Sequence, residues 1–491
     1  MNLPSGKVLM VHPPYVHYSK EFVKDETPFL PLGLLYAGQI LEETQNAAIQ
    51  YHDCQLHNLD ERDISDFDSI GIHVMGAQNI APAHQIYLNL LDREIIPERI
   101  YFGGQGIEKL EPEEFGRIFP KANQVGREAL MEDNYWNISI RKQLERISEE
   151  DLRVYLNNEI TLLFSQGCKY NCSFCGAQTG SREQFYDIKD NLRTYLGQAR
   201  ELGISQLSAY VTSLDFFQQA LNGGDKGKLK RELQVIVSLQ EEYGISLRLR
   251  ALTRADSYLQ ASKDEELMQL VKEAGFYQFG FGADGAANVK LLKAMGKGDL
   301  DLESRLLESF IHAEKNGFIP EILYVFGIEE DTKETLRETR EVCNGLLSSF
   351  NSSIYRGFPA KNFIPGNRNW RRPEWKQSKA YQKLLDNPTF FANLGFETLA
   401  NVISHPNQEE RKLVNDYAIR MSYDAHQLDR VQSFLTVPLM ETNGHELMTE
   451  RSFKLFREIV KNYAPNISKV LTLENLPNYR EELNRLIPKD T

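Results

Sequence analysis

Two successive series of short apolar runs, each run separated from the next by a stretch compatible with a helix, fill residues 8–358 of this 491-residue chain. In the first series the runs fall at 8–11, 49–53, 69–74 and 100–102, with helical stretches at 32–42 and 83–91. Such alternation leads to a parallel sheet covered on both faces, because each parallel strand needs a crossover that carries the chain back over the sheet. The second series offers strands at 162–164, 206–211, 246–252, 277–281, 319–326 and 353–358, separated by helices that include 228–243, 264–273, 302–316 and 333–346. Six βα units of this kind build a full or partial barrel. The expected fold is therefore α/β: a doubly wound, Rossmann-like parallel sheet in residues 1–150, a partial (β/α)6 TIM-type barrel in 151–366, and a mainly helical C-terminal region in 367–491 that caps the barrel mouth. The charged, helix-compatible segment 128–158, with Trp136 as its main apolar anchor, reads as a linker that partly packs, and 408–422 and 449–463 read as helices of the cap.

The length alone suggests about three domains. A net charge of −13 argues against a broad electrostatic hold on nucleic acid or anionic lipid, which needs a basic face. The N-terminal segment lacks the ordered regions of a secretory signal, and the longest apolar stretch, 28–38, falls well short of the roughly 20 residues of a spanning helix. A cytoplasmic location is expected. In the first series, turn residues follow the strands where a ligand meets the carboxyl ends of a doubly wound sheet: Pro13, Pro14 and Tyr15, then Gly76, Ala77 and Gln78, then Gly103, Gly104 and Gln105.

Three of the five cysteines, Cys168, Cys172 and Cys175, lie within eight residues, directly after the first strand of the second series. That places them at the carboxyl end of a barrel, where barrel enzymes keep their chemistry. A structural zinc site takes four protein ligands, and neither Cys54 nor Cys343 lies near in sequence to complete a set. Those two are expected to be buried, inert thiols. Three thiolates leave one position open, as in a [4Fe–4S] cluster whose fourth iron takes an outside ligand.

The spacing CxxxCxxC, with Phe174 before its last cysteine, resembles the signature of the radical SAM superfamily. The resemblance implies that Cys168, Cys172 and Cys175 hold the cluster, that its open iron chelates S-adenosylmethionine, and that an electron from the cluster cleaves the sulfonium to a 5′-deoxyadenosyl radical. It implies further SAM contacts from Phe174, from Ser213 and Asp215 after the second strand, from Arg254 in Thr253-Arg254-Ala255-Asp256, and from Asp284 in the 279–285 segment. Here Asp284-Gly285 stands where the family has Glu-Ser, so Asp284 either holds the ribose hydroxyls or caps the following helix. The segments LLKAMGKG at 291–298 and GIEEDT at 327–332 match later landmarks, so the likeness covers 160–366.

The N-terminal half is similar to the cobalamin-binding domain that precedes the barrel in class B radical SAM enzymes, through PLGLLYA at 31–37, Asp53, residues 71–78, Phe102-Gly103-Gly104 and Gly126-Arg127-Glu128 taken in order. Cobalamin is the cofactor so implied, with contacts from Pro14, Tyr15, His73, Met75, Gly76, Gln78, Gly103, Gly104 and Gln105. No Asp-x-His-x-x-Gly loop follows the first strand, so the corrin is expected base-off without a histidine ligand, its lower face covered by the 75–78 loop. His73 is either a hydrogen-bonded histidine at a strand end or a group that approaches the cobalt or the corrin edge.

Arg248 and Arg250 alternate along one strand and so share a face; they either clamp an acidic substrate group inside the barrel or form salt bridges. Tyr355 and Arg356 end the sixth strand and are the other substrate candidates. The acid-rich segments at 60–68 and 144–151 read as solvated faces. The resemblance implies methyl transfer to an unactivated carbon of a small metabolite or natural-product intermediate, with a flavodoxin or ferredoxin as reducing partner. The alternatives are a radical rearrangement, cyclisation or group transfer without cobalamin, and a non-catalytic metal-binding protein. Nucleic acid is disfavoured for want of a basic stripe.

Overall fold

The computed structural model describes residues 3–14, 28–126, 130, 138–172, 175, 183–221, 224–285, 288–297, 301–326, 332–350, 354–359, 365–367, 369–391, 465–470 and 472. The chain forms two compact units, one of residues 1–278 with 361–404, the other of 279–360 with 405–491.

In the first unit, β1 (Lys7–His12), β2 (Ala48–Asp53), β3 (Ser69–His73), β4 (Ile100–Gly103) and β5 (Asn123–Val125) form a five-stranded sheet in the order β2-β1-β3-β4-β5. Every pairing is parallel. The period-2 alternation of β1 sorts its residues to two layers. Val8 and Met10 pack with Leu34 and Leu41 of the helix Leu32–Gln45, whereas Leu9 and Val11 join Ile86 and Leu90 of the helix Ile80–Asp92 in the larger core. The strand order reverses at β1/β3, which makes the crevice at the ends of these two strands the ligand position of a doubly wound sheet.

The larger core also contains Trp370, Trp375, Tyr381, Leu384, Leu385 and Phe391. Trp370 donates its indole N–H to Glu114 at 3.3 Å, and Tyr381 hydrogen-bonds the same buried carboxylate. Residues 369–391, expected within a cap over the barrel mouth, thus finish the N-terminal core instead, because aromatic side chains gain most by filling a face the sheet leaves open. The expected cap helices at 408–422 and 449–463 lie outside the described residues, as does Trp136.

The expected linker contains a packed helix. The helix Glu149–Asn157 is N-capped by Ser148, and it is tied to the end of β2 by Tyr155 to Asp53 and by His57 to Asp151 at 2.8 Å. Next come β6 (Glu159–Leu163), a short antiparallel pair of β7 (Ser165–Gln166) with β8 (Gln184–Phe185), β9 (Gln206–Thr212) and β10 (Ser246–Thr253). Strands β6 and β10 flank β9 in parallel, with Ala209 opposite both Ile160 and Leu249. The helix Ile188–Glu201, absent from the sequence reading, carries only a narrow apolar stripe of Ile188, Leu192, Tyr195, Leu196 and Ala199 on a polar segment.

β11 (Phe276–Gly282) begins in the first unit and ends in the second, which holds β12 (Ile319–Phe326) and β13 (Ile354–Pro359), paired in parallel. Six strands alternating with helices are the series of the expected partial (β/α)6 barrel. Among the described residues no helix is long and apolar enough to cross a membrane.

Candidate functional site

A cavity of about 540 Å³ lies wholly within the first unit. One wall is the carboxyl end of the five-stranded sheet, with Gly71, His73, Met75, Gly103, Gly104 and Gln105. The facing wall comes from β6, β7 and β9, with Thr161, Leu163, Ser165, Tyr210, Thr212 and Ser213. Strand alternation explains this polarity: Leu207, Ala209 and Val211 are buried on one face of β9, which leaves Tyr210 and Thr212 on the other. Leu30, Leu32 and Leu34 from the first helix and the turn before it make the remaining side largely apolar.

Glycine keeps the sheet wall open. Gly104 has φ +104°, and a Cβ there would stand 2.6 Å from the Val74 carbonyl oxygen and 2.9 Å from His73 Cδ2. A Cβ on Gly33 would stand 2.8 Å from His73 Nε2. His73 shares a 3.2 Å Nδ1 to Nδ1 hydrogen bond with His12, and burial holds both imidazoles below their ordinary range, His73 at about 4. His73 is thus a hydrogen-bonded strand-end histidine, and it also lines the cavity. Pro14 is buried and Gly76 caps the short turn Ala77–Asn79, but neither lines the cavity. Tyr15 and the Gln78 side chain lie outside the described residues.

The cysteine loop leaves β7 through Gly167, at φ +98°. Gln218 brackets its start, accepting from the Lys169 N–H at 2.8 Å and donating to the Gly167 carbonyl at 3.4 Å. Tyr170, between the first two cysteines, is held more firmly: the Arg254 guanidinium lies 3.7 Å from its ring centre, and its hydroxyl donates to Asp256 at 2.9 Å. Arg254 also pairs with Asp256 at 3.0 Å. The Thr-Arg-Ala-Asp segment is thus built as a clamp on the loop. Asp215, expected at SAM, is fully buried below that clamp, where its Oδ1 accepts from the Arg254 N–H at 3.1 Å and the Thr253 hydroxyl at 3.0 Å. It does not line the cavity, and burial raises it to about 6.

Burial pushes the Cys168 thiol up to about 11, so ligation there must displace a proton. Cys175 turns back on Cys172 through an N–H to carbonyl bond of 3.1 Å. Among the described residues no three His, Cys, Asp or Glu side chains converge on a single ion.

One residue escaped the sequence reading. Glu183, 7% exposed, accepts from Ser165 at 2.5 Å and Ser213 at 3.4 Å through Oε1, and from Gln219 at 2.7 Å through Oε2. Burial is the main reason its carboxyl is raised. Two of its partners line the cavity, so a buried carboxylate backs the wall beside the cysteine loop. No spacing rule marks it; only the antiparallel turn of β8 onto β7 returns it to the site.

Other expectations are redistributed. Arg250 pairs with Glu159 through both carboxylate oxygens and Arg248 stacks 4.3 Å from the Tyr277 ring centre, so their charges are engaged by the protein and neither lines the cavity. In the second unit Asp284 is buried, accepts from the Val325 N–H at 2.5 Å and pairs with Lys297 at 2.8 Å. The helix after it, Val289–Ala294, is capped by Asn288 rather than by Asp284. Cys54 and Cys343 are buried, as expected. Phe174 and the side chains of Tyr355 and Arg356 lie outside the described residues.

No family model matches the chain. Among curated proteins it is 23% identical over 256 residues to an anaerobic magnesium-protoporphyrin IX monomethyl ester cyclase of Rubrivivax gelatinosus, a match that covers 50% of this chain and 38% of the cyclase. The radical S-adenosylmethionine methyltransferase TsrM of Kitasatospora setae, solved with cobalamin and a [4Fe–4S] cluster, aligns at 16% identity and a TM-score of 0.49 over 72% of this chain and 75% of its own. The cobalamin-dependent S-adenosylmethionine radical enzyme OxsB aligns over 100% of this chain and 81% of its own, with 15% identity and a TM-score of 0.53. The chain shares the fold of OxsB. Within that fold the cavity joins the switch-point crevice of the first sheet to the strands that lead into and follow the cysteine loop.

Proposed function

We propose that the chain is a cobalamin-dependent radical SAM enzyme that transfers a methyl group to an unactivated carbon of a small molecule. The observation that carries this reading is the single cavity with a glycine-floored sheet end on one side and the barrel wall beside Cys168, Cys172 and Cys175 on the other. When bound, the cluster supplies the electron that cleaves SAM, and cobalamin supplies the methyl group. The protein binds and orients. Cys168, Cys172 and Cys175 hold the iron, while Arg254 and Asp256 keep their loop in register through Tyr170. Gly33, Gly103 and Gly104 admit the flat face of a corrin, and the apolar side of the cavity excludes water that would quench a radical.

Glu183 takes the role expected of Asp215, which does not line the cavity, and holds the amino group of SAM, with Ser165 and Ser213 keeping its carboxylate aimed. Removing a charge-assisted hydrogen bond costs about 1.5–3 kcal/mol. Glu183→Gln is therefore expected to weaken SAM binding roughly tenfold to a hundredfold, read by titration calorimetry on the iron-loaded protein; unchanged affinity would remove Glu183 from this role. The electron donor expected is a flavodoxin or ferredoxin.

The reading is tested by metal content after anaerobic reconstitution with iron, sulfide and hydroxocobalamin. About four irons and one cobalt per chain are expected. Iron without cobalt would favour a second reading, a radical cyclisation or rearrangement that leaves the N-terminal sheet without a cofactor, for which the matched cyclase is the supporting observation. Neither metal would overturn both.

A further inference from the structure

We infer that His73 is a nitrogen ligand to the cobalt of a corrin seated at the β1/β3 crevice, and that His12 positions its ring. The inference rests on the cobalamin reading above, but it departs from the sequence expectation of a corrin without a histidine ligand.

Position comes first. His12 and His73 are the last residues of β1 and β3, the two strands between which the sheet order reverses. This is where a doubly wound sheet of this order binds its ligand. His73 lies on the cavity wall, whereas His12 sits behind it, 1% exposed and edge-on to Phe29 with ring centres 5.3 Å apart. The space around the His73 ring is kept by missing side chains. Any Cβ at Gly33 would press on Nε2 and any Cβ at Gly104 on Cδ2, so the two glycines leave the imidazole edge uncovered on the side where both they and His73 line the cavity.

The hydrogen bond supplies the chemistry. A neutral imidazole has one N–H and one lone pair, so a bond between two Nδ1 atoms requires one ring to donate and the other to accept. A metal-bound histidine donates its remote N–H to a neighbour that fixes its tautomer and orientation. With His73 donating through Nδ1 to His12, the lone pair of His73 falls on Nε2, the atom beside Gly33. His12 has no other hydrogen bond to make, since its own Nε2 is buried without a partner. Its place behind His73 is explained if it serves as an acceptor that orients a ligand.

The test uses the full chain, labelled with [15N]histidine, loaded with hydroxocobalamin, reduced to cob(II)alamin and examined by electron paramagnetic resonance. A nitrogen ligand splits each cobalt line, into three for 14N and into two for 15N. The expected result is a triplet in unlabelled protein that becomes a doublet on histidine labelling, and a spectrum without nitrogen splitting in His73→Ala that still retains the corrin by absorbance. Should His73→Ala fail to fold, His73→Gln makes the same assignment, and the isotope change in the unsubstituted chain decides whether any histidine binds. A triplet unaffected by the label would identify the corrin's own base as the ligand, and no splitting would mean no nitrogen ligand; either result overturns the inference and leaves cobalamin binding intact. A chain that takes up iron but retains no corrin would instead remove the cobalamin reading, and the inference with it.

Discussion

Replacing any one of Cys168, Cys172 and Cys175 by Ala is expected to abolish reductive cleavage of SAM, with 5′-deoxyadenosine falling below detection and iron falling well below four per chain. The expectation is this steep because the three thiols share one short loop and neither of the other two cysteines can take over. Cys54 and Cys343 are buried elsewhere, and burial drives both thiols up. The start of the loop should survive the substitution, since Gln218, Tyr170, Arg254 and Asp256 anchor it. The variants are therefore expected to melt as the unsubstituted metal-free chain does, which separates loss of the cluster from loss of the fold. A cysteine variant with undiminished 5′-deoxyadenosine production would refute the cluster assignment.

Trp370→Ala is expected to give the largest loss of stability in the first unit. The indole is 2% exposed and meets Trp375, Tyr381 and Phe391 with ring centres 5.4–6.2 Å apart. Truncating a buried tryptophan costs about 3–5 kcal/mol through lost transfer energy and the cavity left behind. Glu114 would also lose its indole donor while remaining buried. A fall of roughly 10 °C in the melting temperature is expected, while Trp370→Phe should recover most of the packing. Because the lost core belongs to the five-stranded sheet, corrin retention should fail before iron retention does. Unchanged melting would show that residues 369–391 do not support that sheet in solution.

The strands of both series were legible because their apolar residues recur at fixed intervals between turn residues: 319–326 coincides with β12, and 246–252 differs from β10 by its last residue. The three-residue β5 and the helix Ile188–Glu201 were not legible. The first is too short to show a period, and the second is mostly polar. Candidate residues divided in the same way. The cysteines could be found by spacing because all three ligands come from one loop, so sequence distance is close to spatial distance. Glu183 could not, since β8 must fold back on β7 before its carboxylate meets Ser165 and Ser213. Arg250 illustrates the opposite case: its place on the strand could be read, but its partner, Glu159, stands 91 residues away.

The sequence by itself determined the α/β class, the parallel alternation and the cysteine loop, all of which depend on residues close together along the chain. Only the tertiary structure decided what each charged or ring-bearing side chain would meet. It placed Asp284 against Lys297, paired His12 with His73, set Arg254 over Tyr170, and drew the aromatic residues of 369–391 into the first sheet. Buried polar groups and large aromatic rings are stable only with partners, and those partners come from wherever the fold leaves a donor, an acceptor or an uncovered apolar face.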